Sequence, residues 1–192
     1  MSHNGVQDFA RARYRGRVSI HQRLLVGIVL SVILAFPGAG DALADPSPRV
    51  RPLTPRMRAL LARGAERSPT VAALLDGLAR SNLIVHIEER WPRGGESPGA
   101  TRFVEYAGGQ RYLRITLDAR VRGPEAVALL GHELQHAWEV AQAPWVVDVE
   151  TFDRLYRAIG HPSCQGRRRA RYDTAAARHV SRAVYAEMVR GD

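Results

Sequence analysis

Two histidines and a glutamate near the middle of the chain have the types and spacing of a metal centre. The run His132-Glu133-Leu134-Gln135-His136 places the two histidines four residues apart. On an α-helix, residues with this spacing lie on one face, so both imidazoles can reach a single ion. Glu133 lies at the edge of that face, where it can take a proton from a metal-activated water without being a ligand. The pattern predicts a zinc site with Glu133 as its general base.

The residues around this run have the apolar spacing of a buried helix. Gly123-Pro124-Glu125 is typical of a helix start, because proline is favoured in the first turn and an acid is favoured near the positive end of the dipole. The alternative is an amphipathic core helix with two hydrogen-bonded histidines and a solvated Glu133. The apolar positions of the helix are Ala126, Val127, Leu129, Leu130, Leu134, Ala137, Val140 and Ala141.

From His132 to Glu139 the chain resembles the gluzincin branch of the zincin metallopeptidases, which often reads His-Glu-Leu-x-His-Ala at this place. It is also similar to a group of uncharacterised bacterial exported proteins that carry His-Glu-Leu-Gln-His-Ala, and that resemblance extends over most of the chain after residue 45. The zincin resemblance implies a sheet beside an active-site helix, a bound zinc and hydrolysis of peptide bonds. Resemblance to the exported group implies no particular activity.

Glu139 shares the helical face of the histidines, but its position argues against a role as ligand. The ion should lie near the level of residue 134, so Glu139 is roughly 7.5 Å further along the axis at 1.5 Å per residue. We therefore expect Glu139 to hold an imidazole N–H or an arginine, as carboxylates behind zinc-binding histidines commonly do.

A catalytic zinc site has three protein ligands, so one ligand must come from a later segment. Glu150 suits the gluzincin scheme of a glutamate on the next helix, although its distance from His136 in sequence is short for that family. The exported group carries Glu-Thr where this chain has Asp173-Thr174, and on that resemblance we favour Asp173. Tyr172 could donate to an oxyanion or simply pack. The acidic candidates are Asp148, Glu150, Asp153, Asp173 and Glu187.

The rest of the chain predicts an α+β fold of minimal zincin type. Three strands, at residues 83–88, 101–107 and 111–119, are expected to form a small antiparallel sheet, with Gly108-Gly109 as a hairpin turn. His86 lies within the first of them and is interpreted as structural. About four helices should accompany the metal-binding helix, at residues 55–66, from 69 onward, 148–159 and 173–189. Residues 161–171 are expected to be a loop whose arginines are solvated, with phosphate binding as the alternative.

The first 44 residues have the organisation of a secretory signal peptide. Arginines precede an uncharged core at residues 24–36, and Ala42-Leu43-Ala44 follows as a cleavage sequence. The core is short for a membrane span, which needs about 20 residues, although an uncleaved anchor is the alternative. We expect a protein of the bacterial periplasm or exterior with no stable membrane span. Residues 45–55, with four prolines, are expected to be a linker without helix or strand, and residues 56–192 the metal-binding domain.

Composition narrows the partners. The formal charge is +9, and all 28 basic residues are arginine. Such an excess steers a protein toward anionic surfaces without naming a partner. Aromatic residues are few and do not alternate with the arginines, so no nucleic acid is expected. Cys164 is the single cysteine, which excludes an internal disulfide and a multi-cysteine zinc site.

Three functions are compatible with these patterns. The first is an exported zinc peptidase acting on a peptide or protein substrate. The second is a non-catalytic metal-binding or structural protein of the bacterial envelope. The third is a basic adaptor that acts through an arginine-rich surface.

Overall fold

The computed structural model describes residues 48–91, 97–163 and 171–190, which form six strands and five helices. The proposed signal peptide, the first residues of the linker, Cys164 and the arginines at 167–169 lie outside the described residues. In chain order the elements are β1 (Val50–Pro52), α1 (Pro55–Arg67), α2 (Pro69–Ala79), β2 (Leu83–Arg90), β3 (Gly99–Ala107), β4 (Gln110–Asp118), α3 (Gly123–Ala141), α4 (Val149–Ile159), β5 (His161–Ser163), β6 (Arg171–Asp173) and α5 (Ala175–Arg190).

The main sheet is mixed, with four strands in the order β1-β2-β4-β3. Strand β2 is parallel to both β1 and β4, and only the β3–β4 pair is antiparallel. The expected three-stranded antiparallel sheet is therefore wrong in strand number and in direction. After β2 the chain goes to the far edge as β3, turns through Gly108 and Gly109 at positive φ, and returns as β4 beside β2.

Two segments that were expected to lack strands contain short ones. Residues 50–52, within the expected linker, pair with β2 as β1, and Pro52 is tolerated there because β1 is an edge strand. The expected loop at residues 161–171 begins with β5 and ends in β6, which pair with each other. Strands of three residues leave too little periodicity to recognise in a sequence.

The predicted helices are present, and the α+β class is confirmed. The side chains of Thr54, Ser68 and Asp148 cap α1, α2 and α4 respectively. The last helix begins at Ala175, slightly later than expected, because Thr174 provides its cap by accepting from Ala177 N–H. None of the helices among the described residues is both long and apolar enough to cross a membrane.

Helix α3 lies at the centre of the helical layer, between the sheet and α5. A Cβ added at Gly131 would lie 2.8 Å from Val184 Cγ2, so α3 and α5 pack closely at this point. The end of α3 is held by the buried Arg111 of β4, whose Nη1 donates to the carbonyls of Val140 and Ala143, both at 2.8 Å. Because α5 packs on α3, the residues just before α5 lie beside the middle of α3.

Candidate metal centre

His132, His136 and Asp173 lie together where β6 leads into α5. One potential ligand atom from each residue lies within 4.8 Å of the others. His132 Nε2 is 3.4 Å from Asp173 Oδ1, and the two imidazole rings are edge-on, with centroids 4.9 Å apart. The helical spacing of the histidines brings their rings to one face, and the close α3–α5 packing brings the carboxylate to the same place.

The Asp173 carboxylate has one oxygen without a partner. Its Oδ2 accepts from Arg178 Nη1 at 3.1 Å, whereas the buried Oδ1 has no hydrogen bond among the described residues. A buried acceptor without a donor is costly, and an ion or a water molecule bound there would remove that cost. Two imidazoles and a carboxylate are a donor set that zinc takes in catalytic sites, so these residues fit a zinc ion.

The other acidic candidates lie elsewhere. Asp148 caps α4, and Glu150 is exposed on α4 beside Arg154 at 3.2 Å. Glu187 accepts from Thr70 Oγ1 at 2.7 Å and also from Ser68 Oγ, at the start of α2. Asp153 is exposed on α4. Of the five candidates, Asp173 alone joins the histidines in the described part of the chain.

Glu139 contacts a histidine, as its position on α3 suggested. His136 Nδ1 donates to Glu139 Oε2 at 2.9 Å, which leaves His136 Nε2 free to bind an ion. The other oxygen of Glu139 accepts from Thr174 Oγ1 at 2.6 Å. The sequence placed Thr174 inside the last helix, and its contact with Glu139 was missed because it depends on tertiary packing.

Strand β3 holds the carboxylate of Glu133. Thr101 Oγ1 donates to Glu133 Oε2 at 2.8 Å and lies 3.2 Å from the backbone oxygen of the same residue. On the other side, a Cβ added at Gly99 would lie 2.4 Å from Glu133 Oε1, so only glycine leaves room for this carboxylate. Glu133 is 4% exposed. The roles of Thr101 and Gly99 could not be predicted from a local sequence motif, because both contact Glu133 only where the sheet packs against α3.

Burial and neighbouring charges tune the site. Burial raises the pKa of the Glu133 carboxyl, although the charge of His136 and the Thr101 hydrogen bond oppose this. Burial and the charge of His136 lower the pKa of His132. Burial also lowers the pKa of His136, but the hydrogen bond to Glu139 and the surrounding carboxylates outweigh it and leave that pKa raised. The site thus combines a carboxyl group, Glu133, whose pKa is raised toward neutral pH, with an imidazole, His132, that favours its uncharged form.

Two tyrosines border the centre in different ways. Tyr156 of α4 donates to the backbone oxygen of His136 at 2.9 Å, and its ring stands edge-on to the His136 ring at 5.3 Å. Burial is the main cause that raises the pKa of Tyr156 well above its usual range. Tyr172, for which oxyanion donation and packing were both open, is half-buried against the core. The described contacts give Tyr156 a supporting role beneath His136.

Comparisons of the chain with protein-family models, with curated proteins and with solved structures found no match in any of the three. The case for a metal centre therefore rests on the geometry of His132, His136 and Asp173 and on the unpaired oxygen among them.

Proposed function

We propose that the chain is an exported, zincin-like zinc peptidase of the bacterial periplasm or exterior, acting on a peptide or protein substrate. His132, His136 and Asp173 would hold the zinc, and Glu133 would act as general base. One observation carries the proposal: the buried Asp173 Oδ1, which has no hydrogen bond to any described residue, lies 3.4 Å from His132 Nε2 in a group where one ligand atom each from His132, His136 and Asp173 lie within 4.8 Å of one another.

Zinc held by these residues would polarise the scissile carbonyl and lower the pKa of a water molecule to about 7. Glu133 accepts a proton from the water whose oxygen bonds to the carbonyl carbon. It then returns a proton to the amine as the carbon–nitrogen bond breaks. Burial, which raises the pKa of Glu133, suits both transfers because it brings the carboxyl closer to the working pH.

The neighbouring residues orient these groups. Thr101 holds one oxygen of Glu133, and Glu139 fixes the His136 ring through Nδ1. Arg178 offsets part of the charge on Asp173 through Oδ2 and leaves Oδ1 for the ion. Such support keeps a site in its productive geometry before substrate arrives.

The test is cleavage of a broad peptide library by the wild type, by Glu133→Gln and by Glu150→Gln as the matched control. Glu133→Gln keeps the shape of the side chain but cannot accept the proton, so it should retain zinc and lose about 10²–10⁴-fold in rate. Glu150 is exposed on α4, so its variant should behave as the wild type. Cleavage that survives Glu133→Gln with zinc content unchanged would refute this mechanism.

One observation favours the second function, a non-catalytic metal-binding or structural protein of the envelope. Glu133 is only 4% exposed, with Oε2 hydrogen-bonded to Thr101 and Oε1 close to Gly99, so little space is left around the proposed general base. Replacing the zinc with cobalt would distinguish the two functions, because a catalytic site leaves one coordination position of the ion open to an added ligand and a closed structural site does not. Acetohydroxamate should change the visible spectrum of the cobalt protein if the site is catalytic, and should leave it unchanged if the site is closed.

A further inference from the structure

A line of basic side chains crosses the whole four-stranded sheet. Arg51 of β1 is paired in register with His86 of β2, His86 with Arg114 of β4, and Arg114 with Arg102 of β3. Directly paired residues on neighbouring strands point to the same face of a sheet. These four residues, called the basic row below, therefore lie side by side on one face.

The basic row lies on the face turned away from the helices. The alternate residues Leu113 and Ile115 of β4 are fully buried beneath the helical layer, so Arg114 between them points to the opposite side. Arg102 and Arg114 are exposed, and Arg51 and His86 are half-buried. Arg111, on the same face as Leu113 and Ile115, binds the end of α3. Helix α3 therefore lies on that other face, and Arg102 and Arg114 are open to a partner.

The positive charges of the basic row are poorly neutralised. Like charges directly opposite each other on neighbouring strands are destabilising. Glu88 is 3.9 Å from Arg114 Nε, and Arg51 Nε donates to the backbone oxygen of Pro48. Within the described ranges Arg102 forms no ion pair. The pKa of His86 is lowered by burial first and then by the charges of Arg51 and Arg114. The arginines of the basic row therefore repel one another, and binding of an anionic partner would reduce this repulsion.

The surroundings of the basic row limit the kind of anion. On the same face, the next set of paired residues on one side of the basic row contains Glu88, and the next set on the other side contains Glu105. The positive charge is therefore confined to a narrow line between two carboxylates. A broad anionic surface such as a lipid bilayer would meet both carboxylates. Single-stranded nucleic acid needs open aromatic faces for stacking, whereas His86 and Tyr112 are half-buried and lie 6.4 Å from each other. A short chain with a few carboxylates suits the line better.

We propose that the basic row binds an extended acidic segment of a protein partner, with two or three Asp or Glu side chains along the line. The guanidinium fork pairs with carboxylates through two parallel hydrogen bonds. The row ends at Arg102, and the preceding residue, Thr101, contacts Glu133 from the other face of the sheet. The bound segment thus ends at the strand that borders the candidate metal centre. The proposal does not require that this centre cleave anything.

The test is fluorescence anisotropy of the full chain with a labelled peptide of alternating Glu and Gly, compared with its Gln–Gly counterpart. The triple variant Arg51→Gln/Arg102→Gln/Arg114→Gln should bind the Glu peptide at least about tenfold more weakly, since exposed pairs contribute modestly and three are lost. The matched control, Arg58→Gln/Arg63→Gln/Arg182→Gln, removes the same charge from exposed helix positions and should change affinity less than about twofold.

Glu88→Gln provides a gain-of-function arm that does not depend on the folding of the triple variant. Because it removes a flanking negative charge, it should tighten binding of the Glu peptide. Equal weakening by the two triple variants, or equal affinity for the Glu and Gln peptides, would overturn the proposal. It would also be overturned if an RNA oligonucleotide or anionic vesicles bound more tightly than the Glu peptide and lost that binding in the basic-row variant.

Discussion

Thr174 Oγ1 donates a hydrogen bond of 2.6 Å to Glu139 Oε1, and the other oxygen of Glu139 accepts from His136 Nδ1 at 2.9 Å. Thr174 directly follows Asp173, the third member of the candidate metal cluster. The two residues before α5 therefore have two roles. Asp173 is a candidate ligand, and the Thr174 hydroxyl holds Glu139, which in turn holds the candidate ligand His136. This links the docking of α5 to the orientation of the His136 ring.

Replacing Thr174 should weaken zinc binding without touching a ligand. Thr174→Val removes the donor to Glu139. Loss of the direct partner of a zinc-binding histidine typically costs 10–100-fold in affinity, so loss of this more distant contact should cost up to about tenfold. Thr174→Ser keeps the hydroxyl and should keep the affinity. Because Thr174 also caps α5, melting temperatures would be compared with zinc affinities from chelator competition. A Ser variant as weak as the Val variant would contradict the orienting role.

Asp173→Ala should weaken zinc binding by at least about tenfold, since it removes a proposed ligand and leaves two imidazoles. Glu150→Ala is the matched control on the neighbouring helix, where Glu150 is exposed beside Arg154. Competition with a chromogenic chelator gives both affinities. A larger loss in Glu150→Ala than in Asp173→Ala would move the third ligand to α4.

Thr101→Val should slow peptide hydrolysis while zinc remains bound. The valine has the shape of threonine but lacks the hydroxyl that donates to Glu133 Oε2, so Glu133, the proposed general base, loses its orientation. Thr101→Ser restores the donor and should restore kcat, with KM little changed in either variant. The check is steady-state kinetics on zinc-loaded protein. An increase in KM with kcat unchanged would instead assign Thr101 to substrate binding.

Much of the site could be predicted from the sequence because it depends on local spacing. The four-residue interval of His132 and His136 requires only a helix, and Glu139 could be placed by counting along the same axis. Thr101, Gly99 and Tyr156 were missed because they reach the histidine helix through tertiary packing. Asp173 was favoured from a resemblance, and the structure brings it to the histidines, while its role as ligand stays a prediction.

The sheet was predicted less well for a topological reason. The patterns of β2, β3 and β4 are visible in the sequence, but consecutive strands were assumed to pair in order. Instead β3 takes the edge and β4 enters beside β2, which makes the β2–β4 pair parallel. The alternation of apolar and polar residues indicates which face of a strand is buried, but it does not indicate which strand is its neighbour in the sheet.

Glu187 should make stability depend on pH. Burial alone would raise its pKa, but hydrogen bonds from Ser68 and Thr70 outweigh this and lower it. A carboxyl whose pKa is depressed on folding stabilises the fold above its ordinary pKa of about 4.3, and this contribution is lost as pH falls through the folded value.

We therefore expect Glu187→Gln to lower the free energy of unfolding by about 1 kcal/mol at neutral pH and by less in acid, because partial exposure to solvent weakens these hydrogen bonds. Glu66→Gln, on the exposed side of α1, is the control and should have little effect. Urea unfolding at both pH values measures the difference. An equal loss at neutral and acidic pH would show that the charge on Glu187 is not what stabilises the start of α2.

The most direct test of the account is the zinc content of the purified protein by elemental analysis. Wild type should carry about one zinc per chain, and the double variant His132→Ala/His136→Ala should carry essentially none. His179→Ala replaces an exposed histidine of α5 outside the cluster and should keep the zinc of the wild type. Stoichiometric zinc that persists in the double variant would show that the ion binds elsewhere and would contradict the assignment of His132, His136 and Asp173.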